Sequence, residues 1–301
     1  MDELPHAFET VPADKPVLLA GPTASGKSAL ALALAERQGR TIVNADAIQV
    51  HSAWRILSAR PSPSDEARAE HALYGHVPWG DSYSVGHWVR EVVPYIARRP
   101  APIIVGGTGL FLSALTEGLV EIPPITASVR AEADDRIERL GHAALFRELD
   151  EATADRIDGQ NPARVQRAWE VLHQTGRGLA TWQAETGPPL LPLSDAAPFV
   201  LGSLRDDLGL AIERRFDAML AAGALGEVAS VLPVWDPKVS AAKAIGAPEL
   251  ASHLRGKISL DEARDQAVIA TRRYAKRQQT WFRSRMKAWQ PITLRGISDP
   301  P

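Results

Sequence analysis

The feature that most constrains this chain is a glycine-rich octapeptide, Gly21-Pro22-Thr23-Ala24-Ser25-Gly26-Lys27-Ser28. It matches the G-x-x-x-x-G-K-[ST] pattern at every fixed position. The apolar run 17–20 before it predicts a buried strand, and the run 28–36 after it predicts a helix that ends at Gly39. A glycine loop between a strand and a helix N-terminus binds phosphate through backbone N–H groups. The motif therefore predicts a diphosphate or triphosphate ligand, with Lys27 supplying charge and Ser28 a ligand for Mg²⁺; the alternative is a turn that binds nothing.

Short apolar segments alternate with predicted helices in the N-terminal part of the chain, and again in its C-terminal part. Further strands are predicted at 41–45, 102–105 and 198–202, and helices at 84–97, 110–117, 207–221, 224–232, 245–254 and from Ser259 onward. This alternation is typical of an α/β fold with a parallel sheet covered by helices, here of the P-loop NTPase kind. We expect a helical C-terminal region after the last predicted strand.

The segment between these two parts differs in composition. Residues 126–182 are predicted to be almost entirely helical, with Asn161-Pro162 starting a helix and Gly187-Pro188-Pro189 ending the run. We therefore expect a loose leader at 1–15, a P-loop core made of 16–120 and 191–301, and a helical insertion domain at 121–190.

Charge and composition exclude several classes of protein. The chain has no cysteine, so it forms neither disulfides nor thiolate–zinc sites. It has no apolar run long enough for a membrane span and no N-terminal signal pattern, so we expect a cytoplasmic protein without a membrane partner. Its net charge of −2 argues against a globally basic protein, yet residues 271–287 hold seven Lys or Arg and no acid. Aromatic residues interrupt this basic stretch, which favours an RNA-binding helix over a helix that only covers the core.

Two polar residues follow predicted strands. Asp46 ends the second strand and Thr108 follows the third, and ligands of parallel sheets bind at the carboxyl ends of the strands. We therefore expect both to face the cleft of the P-loop, although either residue would also serve as a helix cap. Of Arg214 and Arg215, on a predicted amphipathic helix, one is expected to be solvent-exposed. These residues alone leave three alternatives open: a small-molecule kinase, a nucleic-acid-modifying enzyme with a diphosphate substrate, and a nucleotide-switched binding protein.

Five ordered blocks resemble the bacterial tRNA dimethylallyltransferases, also called tRNA isopentenyltransferases, over about residues 16–290. The first block is the octapeptide itself. The others are Asp46-Ala47-Ile48-Gln49-Val50, the Gly-Gly-Thr-Gly-Leu-Phe run at 106–111, the Asn-Pro-x-Arg run at 161–171, and Ala244-Ile245-Gly246 together with 271–283.

The resemblance implies transfer of a dimethylallyl group from dimethylallyl diphosphate to the exocyclic amine of the adenosine on the 3′ side of the anticodon, with Mg²⁺ as cofactor. It implies that the octapeptide, Lys27 and Arg215 hold the diphosphate, that Asp46 is the base, and that Thr108 contacts a substrate. A small-metabolite or nucleoside P-loop kinase remains the alternative. The expected partner is the anticodon arm of tRNA, bound by a monomer. The implied tRNA contacts are Asp46, Ala47, Ile48, Gln49, Thr108, Arg130, Ala163, Arg164, Val165, Gln166, Arg167, Lys243, Ala244, Ile245, Gly246, Lys276, Arg277, Gln278, Thr280, Trp281 and Arg283.

The chain departs from the family pattern near the second strand. Ala47 replaces a serine, His51 a tyrosine, and Ser58 and Arg60 replace a threonine and a lysine. These changes leave the residues of the diphosphate site intact, and they affect the expected local contacts to the tRNA base.

Overall fold

The structure is a computed structural model that describes residues 4–202 and 205–293. Its strands are β1 Val17–Ala20, β2 Ile42–Asn44, β3 His71–Ala72, β4 Ile103–Gly106, β5 Ala197–Gly202 and β6 Gln290–Thr293. Its helices are α1 His6–Glu9, α2 Lys27–Gln38, α3 Pro63–Arg68, α4 Val85–Ile96, α5 Gly109–Glu117, α6 Ala127–Leu140, α7 His142–Arg147, α8 Glu151–Ala154, α9 Pro162–Thr175, α10 Leu179–Ala184, α11 Arg205–Ala221, α12 Ala224–Val231, α13 Ala247–Leu254 and α14 Leu260–Arg285.

The strands form one parallel sheet in the order β3-β2-β4-β1-β5-β6, as the predicted α/β fold requires. β1 lies in the middle, with Ala20 opposite Gly106 of β4 and Val200 of β5. All strands run in the same direction, so their carboxyl ends meet at one edge. The loops after β1, β2 and β4 therefore lie side by side.

Helices cover both faces of the sheet, which explains why β1, β2 and β4 are buried throughout. One apolar cluster includes Leu30 and Leu34 of α2, and the other includes Trp88 of α4 and Phe111 of α5. The Trp88 indole donates a hydrogen bond to the Asn44 carbonyl at 2.6 Å, which ties α4 to the end of β2. Strands buried on both faces are typical of parallel sheets.

Several elements escape the sequence prediction, among them β3, β6 and α3. β3 has two residues and β6 contains Pro291, which is tolerated because β6 lies at the edge of the sheet. α3 falls in the stretch 51–82, where several prolines disfavour a long helix or strand. There Pro63 occupies the first helical turn and Ser62 provides a capping box with Asp65.

The predicted loose leader at 1–15 is wrong for its described part. Phe8 of α1 is fully buried and packs edge-on against Phe199 of β5, with ring centroids 5.3 Å apart. The buried Arg40 guanidinium donates hydrogen bonds to the carbonyls of Lys15 and Ala101 at 2.8 and 2.9 Å and to that of Pro12 at 2.6 Å. Backbone carbonyls thus satisfy a buried charge and fix the segment against the sheet.

The C-terminal helices form a third apolar cluster in the same unit as the sheet. Trp54 donates to the Ala241 carbonyl at 2.8 Å, and the Glu227 carboxylate accepts the N–H groups of Arg55, Ile56 and Leu57 at 2.8 to 2.9 Å. Within the described ranges no single helix is long and apolar enough to span a membrane. Among the described residues, the segments Leu208–Ala221 and Ala224–Val234 reach the required length and hydropathy only when they are taken together, and they are bent by 63° relative to each other.

Residues Glu117–Pro189 form a second compact unit, whereas the sequence predicts an insertion at 121–190. Helices α6, α7 and α9 pack around a core of Ala133, Leu145, Val165 and Trp169. Its helices begin as the sequence indicates, with Thr126 and Asn161 accepting N–H groups of the first turns of α6 and α9.

Candidate active site

The glycine loop after β1 has the backbone conformation that an anion site needs. Ala24 and Gly26 adopt positive φ values of 59° and 83°, and α2 begins immediately afterwards at Lys27. No described side chain caps the N-terminus of α2. The first N–H groups of a helix have no partner within the helix and carry positive potential, so this end of α2 suits a phosphate group.

Lys27 lies in a charged group with Asp46 and Arg215. Its ammonium donates a hydrogen bond to the Pro22 carbonyl at 3.3 Å. Burial lowers the pKa of Lys27 to about 8, the Asp46 carboxylate opposes this shift, and Arg215 adds to it. Charges from the loop after β1, the end of β2 and α11 therefore act on one another, as expected for the walls of one cleft. A bound diphosphate would pair with both cations.

This pKa predicts a pH dependence for anion binding. Below about pH 8 Lys27 carries its charge in the free protein, and above it the charge is progressively lost. We expect the affinity for inorganic pyrophosphate to fall as pH rises above about 8, approaching tenfold per pH unit at the steepest. Calorimetric titration of wild type and Lys27→Met from pH 6.5 to 9.5 checks this. The ratio of their affinities must shrink with rising pH, and a constant ratio would contradict the prediction.

Asp46 uses one carboxylate oxygen to fix its own turn. Its Oδ1 accepts the Ile48 N–H at 2.9 Å, and its N–H donates to Asn44 Oδ1 at 2.8 Å. Turns rather than a helix follow over residues 47–50, so Asp46 is not a helix cap. A Cβ atom built at Gly107 would lie 3.3 Å from Oδ2, so this second oxygen faces the loop after β4.

Thr108 connects the ends of β2 and β4. Its hydroxyl oxygen accepts the Ala47 N–H at 2.9 Å, and its own N–H donates to the Ala45 carbonyl at 3.3 Å. A Cβ atom at Gly106 would lie only 2.0 Å from the Ala45 carbonyl oxygen, so the close approach of the two loops requires glycine there. Asp46 and Thr108 are thus brought together beside the P-loop, where the sequence places them.

Helix α14 has two different faces. Lys276, Arg277, Thr280 and Arg283 are exposed, with Arg277 5.7 Å from the centre of the Tyr274 ring. Phe282 is buried in the core, Trp281 is half-buried, and Gln278 is buried. The aromatic residues of the basic stretch therefore pack inward, while its predicted cationic contacts point outward.

Gln278 is predicted to contact tRNA. In the structure, both ends of its side-chain amide form hydrogen bonds within the protein. Its Oε1 accepts the Thr23 N–H and its Nε2 donates to the Gly107 carbonyl, each at 2.9 Å. Burial, with Asp46 as a second cause, raises the pKa of the neighbouring Tyr274; Arg277 and hydrogen bonds with Thr108 and Gln278 oppose the shift. The sequence gives no sign of these internal contacts.

The other predicted tRNA contacts of this unit lie in the turn after β2 and in the run 243–246 before α13. Ala47, Ile48 and Gln49 are half-buried in the turn after β2, where Gln49 donates to the Ser58 and Ala59 carbonyls at 3.0 and 2.8 Å. In the run 243–246, Lys243 is exposed, Ile245 is half-buried, and Ala244 and Gly246 are buried. Gly246 has φ 95°, and a Cβ atom there would lie 2.9 Å from both Leu57 and Phe216, so packing also accounts for this glycine.

The predicted contacts of the second unit surround a buried acid. Arg130 and Arg167 reach the Glu170 carboxylate at 3.6 and 3.9 Å, and Gln166 donates to it at 3.2 Å. Of the other predicted residues, Ala163 and Arg164 are exposed and Val165 is buried in the core of this unit. The side chains of Arg130 and Arg167 are 57% and 44% exposed, and Glu170 orients both.

The residues that depart from the family pattern are accommodated by packing. His51 is buried, with Nε2 3.1 Å from the Ser240 hydroxyl, and burial lowers its pKa. The Ser58 hydroxyl donates to the Trp54 carbonyl at 2.6 Å. Arg60 lies against Gly75, where a Cβ atom would clash with its guanidinium. The substituted side chains are therefore part of the folded turn.

The donor set fits a magnesium ion that is held mainly by its ligand. The described residues contain no group of three or more His, Cys, Asp or Glu side chains suited to a metal. Ser28 is exposed in the first turn of α2, next to Lys27. Mg²⁺ keeps several waters and often binds through substrate phosphates plus one or two protein oxygens, so a hydroxyl at this position suffices.

Sequence comparison places these residues in a known context. The sequence matches the family model described as IPP transferase over residues 49–285 and that described as isopentenyl transferase over 15–73. It is 61% identical over 288 residues to a tRNA dimethylallyltransferase of Dinoroseobacter shibae, covering 95% of this chain and 97% of the relative. It is 60% identical over 284 residues to one of Cereibacter sphaeroides, covering 94% and 90%.

Solved structures agree with this relationship. A tRNA isopentenylpyrophosphate transferase from Bacillus halodurans superposes with a TM-score of 0.66 at 28% identity, covering 93% of this chain and 90% of that one. A eukaryotic dimethylallyltransferase acting on tRNA has a TM-score of 0.76 at 24% identity, covering 93% and 74%, and shares the fold. Nothing in these comparisons favours the small-metabolite kinase.

Proposed function

This chain belongs to the tRNA dimethylallyltransferase family, and we propose that it moves the dimethylallyl group of dimethylallyl diphosphate to the exocyclic amine of the adenosine on the 3′ side of the anticodon. The observation that carries this proposal is the convergence of the P-loop, Asp46 and Thr108 at one edge of the sheet. An anion site beside a carboxylate is what the reaction needs, because a diphosphate leaves while an amine loses a proton.

The transfer exchanges one bond for another. The exocyclic nitrogen forms a bond to the allylic carbon, and the bond from that carbon to the diphosphate oxygen breaks, its electron pair leaving with the diphosphate. Negative charge therefore grows on oxygens held by the N–H groups of the P-loop, by Lys27 and by Arg215. Stabilising that charge lowers the barrier to the transfer.

The nitrogen that attacks must also lose a proton. We assign its acceptance to Asp46, whose Oδ2 faces the loop after β4 while Oδ1 is held by the Ile48 N–H. Thr108 orients the same turn through the Ala47 N–H. The adenine has to leave its stack to reach this edge of the sheet, as enzymes that modify bases generally require.

A magnesium ion would be held by the Ser28 hydroxyl together with diphosphate oxygens. When bound it supplies positive charge to the leaving group. The proposal for Lys27, Arg215 and the P-loop does not depend on it.

Incubation with unmodified tRNA, Mg²⁺ and dimethylallyl diphosphate labelled in its prenyl group tests the proposed function. We expect the label in tRNA, on the adenosine next to the anticodon after nuclease digestion. A parallel reaction with γ-labelled ATP and a small acceptor tests the kinase. Label transferred from ATP, with none from the prenyl donor, would contradict the proposal.

We propose that exposed cationic side chains of α14 contact tRNA phosphates. Substitution of Arg283 tests this proposal. Each phosphate contact contributes about 0.7 to 0.9 to the slope of log K against log salt. Replacing Arg283 by alanine is therefore expected to weaken tRNA binding at low salt and to make the slope shallower by about one contact. The affinity for dimethylallyl diphosphate should stay unchanged, since Arg283 is an exposed residue whose Nε donates to the Gln279 carbonyl of its own helix.

Arg272 provides the matched control on the same helix. Its guanidinium is already paired with Glu213 of α11, so Arg272→Ala should leave the salt slope unchanged. The measurement is a salt titration of tRNA affinity for wild type and both variants, with melting temperature recorded for each. Parallel slopes for wild type and Arg283→Ala would reject the contact of Arg283 with RNA.

A further inference from the structure

Gln278 is a buried polar residue that joins two loops of the site. Only 5% of it is exposed, although it lies in the most basic stretch of the chain. Thr23 presents an N–H group to it and Gly107 a carbonyl, so the backbone dictates which end of the amide faces which loop. Thr23 belongs to the P-loop and Gly107 precedes Thr108. A single side chain thus connects the loops after β1 and β4.

Neighbouring residues of α14 extend this contact on the same face of the helix. Tyr274, one turn earlier, forms hydrogen bonds with Thr108 and Gln278. Trp281, one turn later, packs so closely on Gly109 that a Cβ atom there would lie 2.2 Å from its ring. Gly107 is under the same constraint, because a Cβ atom there would lie 2.3 Å from Gln278 Nε2. The loop after β4 therefore approaches α14 more closely than a side chain at Gly107 or Gly109 would allow.

We infer that Gln278 is a positioning residue that fixes the P-loop relative to the Asp46 and Thr108 side of the site; this inference rests on the proposed function. Its oxygen holds Thr23, four residues before Lys27, and its nitrogen holds Gly107, which the Asp46 carboxylate faces. The distance between the group that binds the diphosphate and the group that takes the proton thus depends on one amide. The role needs a donor and an acceptor on one uncharged side chain of this length.

A protonated glutamate has the same shape and the same donor and acceptor as glutamine, whereas an ionised one has only acceptors. In Gln278→Glu the ionised form would face the Gly107 carbonyl with an acceptor, and the protonated form would restore both hydrogen bonds. Gln278→Leu is the matched variant of similar size that restores neither at any pH. The probe is inorganic pyrophosphate in magnesium-containing buffer, titrated calorimetrically at pH 8 and pH 6.

At pH 8 we expect both variants to bind pyrophosphate about tenfold more weakly than wild type. At pH 6 the Gln278→Glu variant should recover to within about threefold of wild type, because burial raises the pKa of a carboxyl group, while Gln278→Leu should not recover. Single-turnover transfer should follow the same pattern. A residue that only fills the core gives no such recovery with pH.

Pyrophosphate affinity equal to wild type in both variants would overturn the inference. So would a loss in Gln278→Glu that is the same at both pH values, which would assign the residue to core packing. If Gln278→Leu does not fold, Gln278→Glu alone decides, since its recovery at pH 6 is measured against wild type. Wild-type protein that binds pyrophosphate yet transfers no prenyl label would reject the proposed function and leave the result on Gln278 standing.

Discussion

Replacing Asp46 with asparagine is expected to slow transfer about 10²-fold or more while leaving tRNA affinity nearly unchanged. Asparagine keeps an oxygen that can accept the Ile48 N–H, so the turn after β2 should retain its conformation. What it loses is the ability to accept a proton, together with the negative charge that acts on Lys27. The expected effect is therefore on the chemical step rather than on folding.

The measurement is the single-turnover rate with saturating dimethylallyl diphosphate and tRNA, alongside tRNA affinity and melting temperature. Asp81→Asn is a suitable control, because Asp81 is an exposed carboxylate after the turn at 78–80. Turnover near that of wild type would rule out Asp46 as the base. A fall in melting temperature that accounts for the lost activity would instead assign Asp46 to the turn.

The sequence is sufficient to predict the parts of the site that follow strands. A P-loop, Asp46 and Thr108 each come directly after an apolar run, and parallel strands end at one edge, so their proximity follows from topology alone. The caps of α4, α9 and α14 are predicted for a similar reason, since Ser84, Asn161 and Ser259 act within one helical turn. Local rules suffice where the interacting groups are close in sequence.

Contacts between distant residues are beyond such rules. Gln278 meets Thr23 across 255 positions and Gly107 across 171, and nothing in a basic helix indicates that one glutamine points inward. Arg40 is likewise a charged residue that folding buries, because carbonyls from residues 12, 15 and 101 surround it. The buried Glu170 between Arg130 and Arg167 is a third example. In each case the partner supplied by the fold overrides the usual preference of the residue for solvent.

Replacing Lys27 with alanine is expected to reduce transition-state stabilisation by about 3 kcal/mol, which corresponds to a fall of about 10²-fold in the single-turnover rate. The reason is that, in the proposed mechanism, Lys27 faces the oxygens on which charge accumulates as the diphosphate leaves. Its half-buried position enlarges the effect, since a charge partly removed from water interacts more strongly with a leaving group. Transfer by Lys27→Ala should therefore be slow even when the diphosphate substrate is saturating.

The burial of Lys27 also predicts that Lys27→Ala does not lower the stability of the folded protein. Burial lowers the pKa of Lys27 to about 8, so keeping the ammonium charged in the folded protein costs free energy that alanine does not. We expect the melting temperature of Lys27→Ala at pH 7 to equal or exceed that of wild type, while Lys257→Ala, which removes an exposed lysine outside the site, leaves the single-turnover rate unchanged. A residue retained at a cost to stability has to act on the ligand. A rate equal to wild type at saturating substrate would show that Lys27 does not stabilise the leaving group, and a lower melting temperature would show that its charge supports the fold instead.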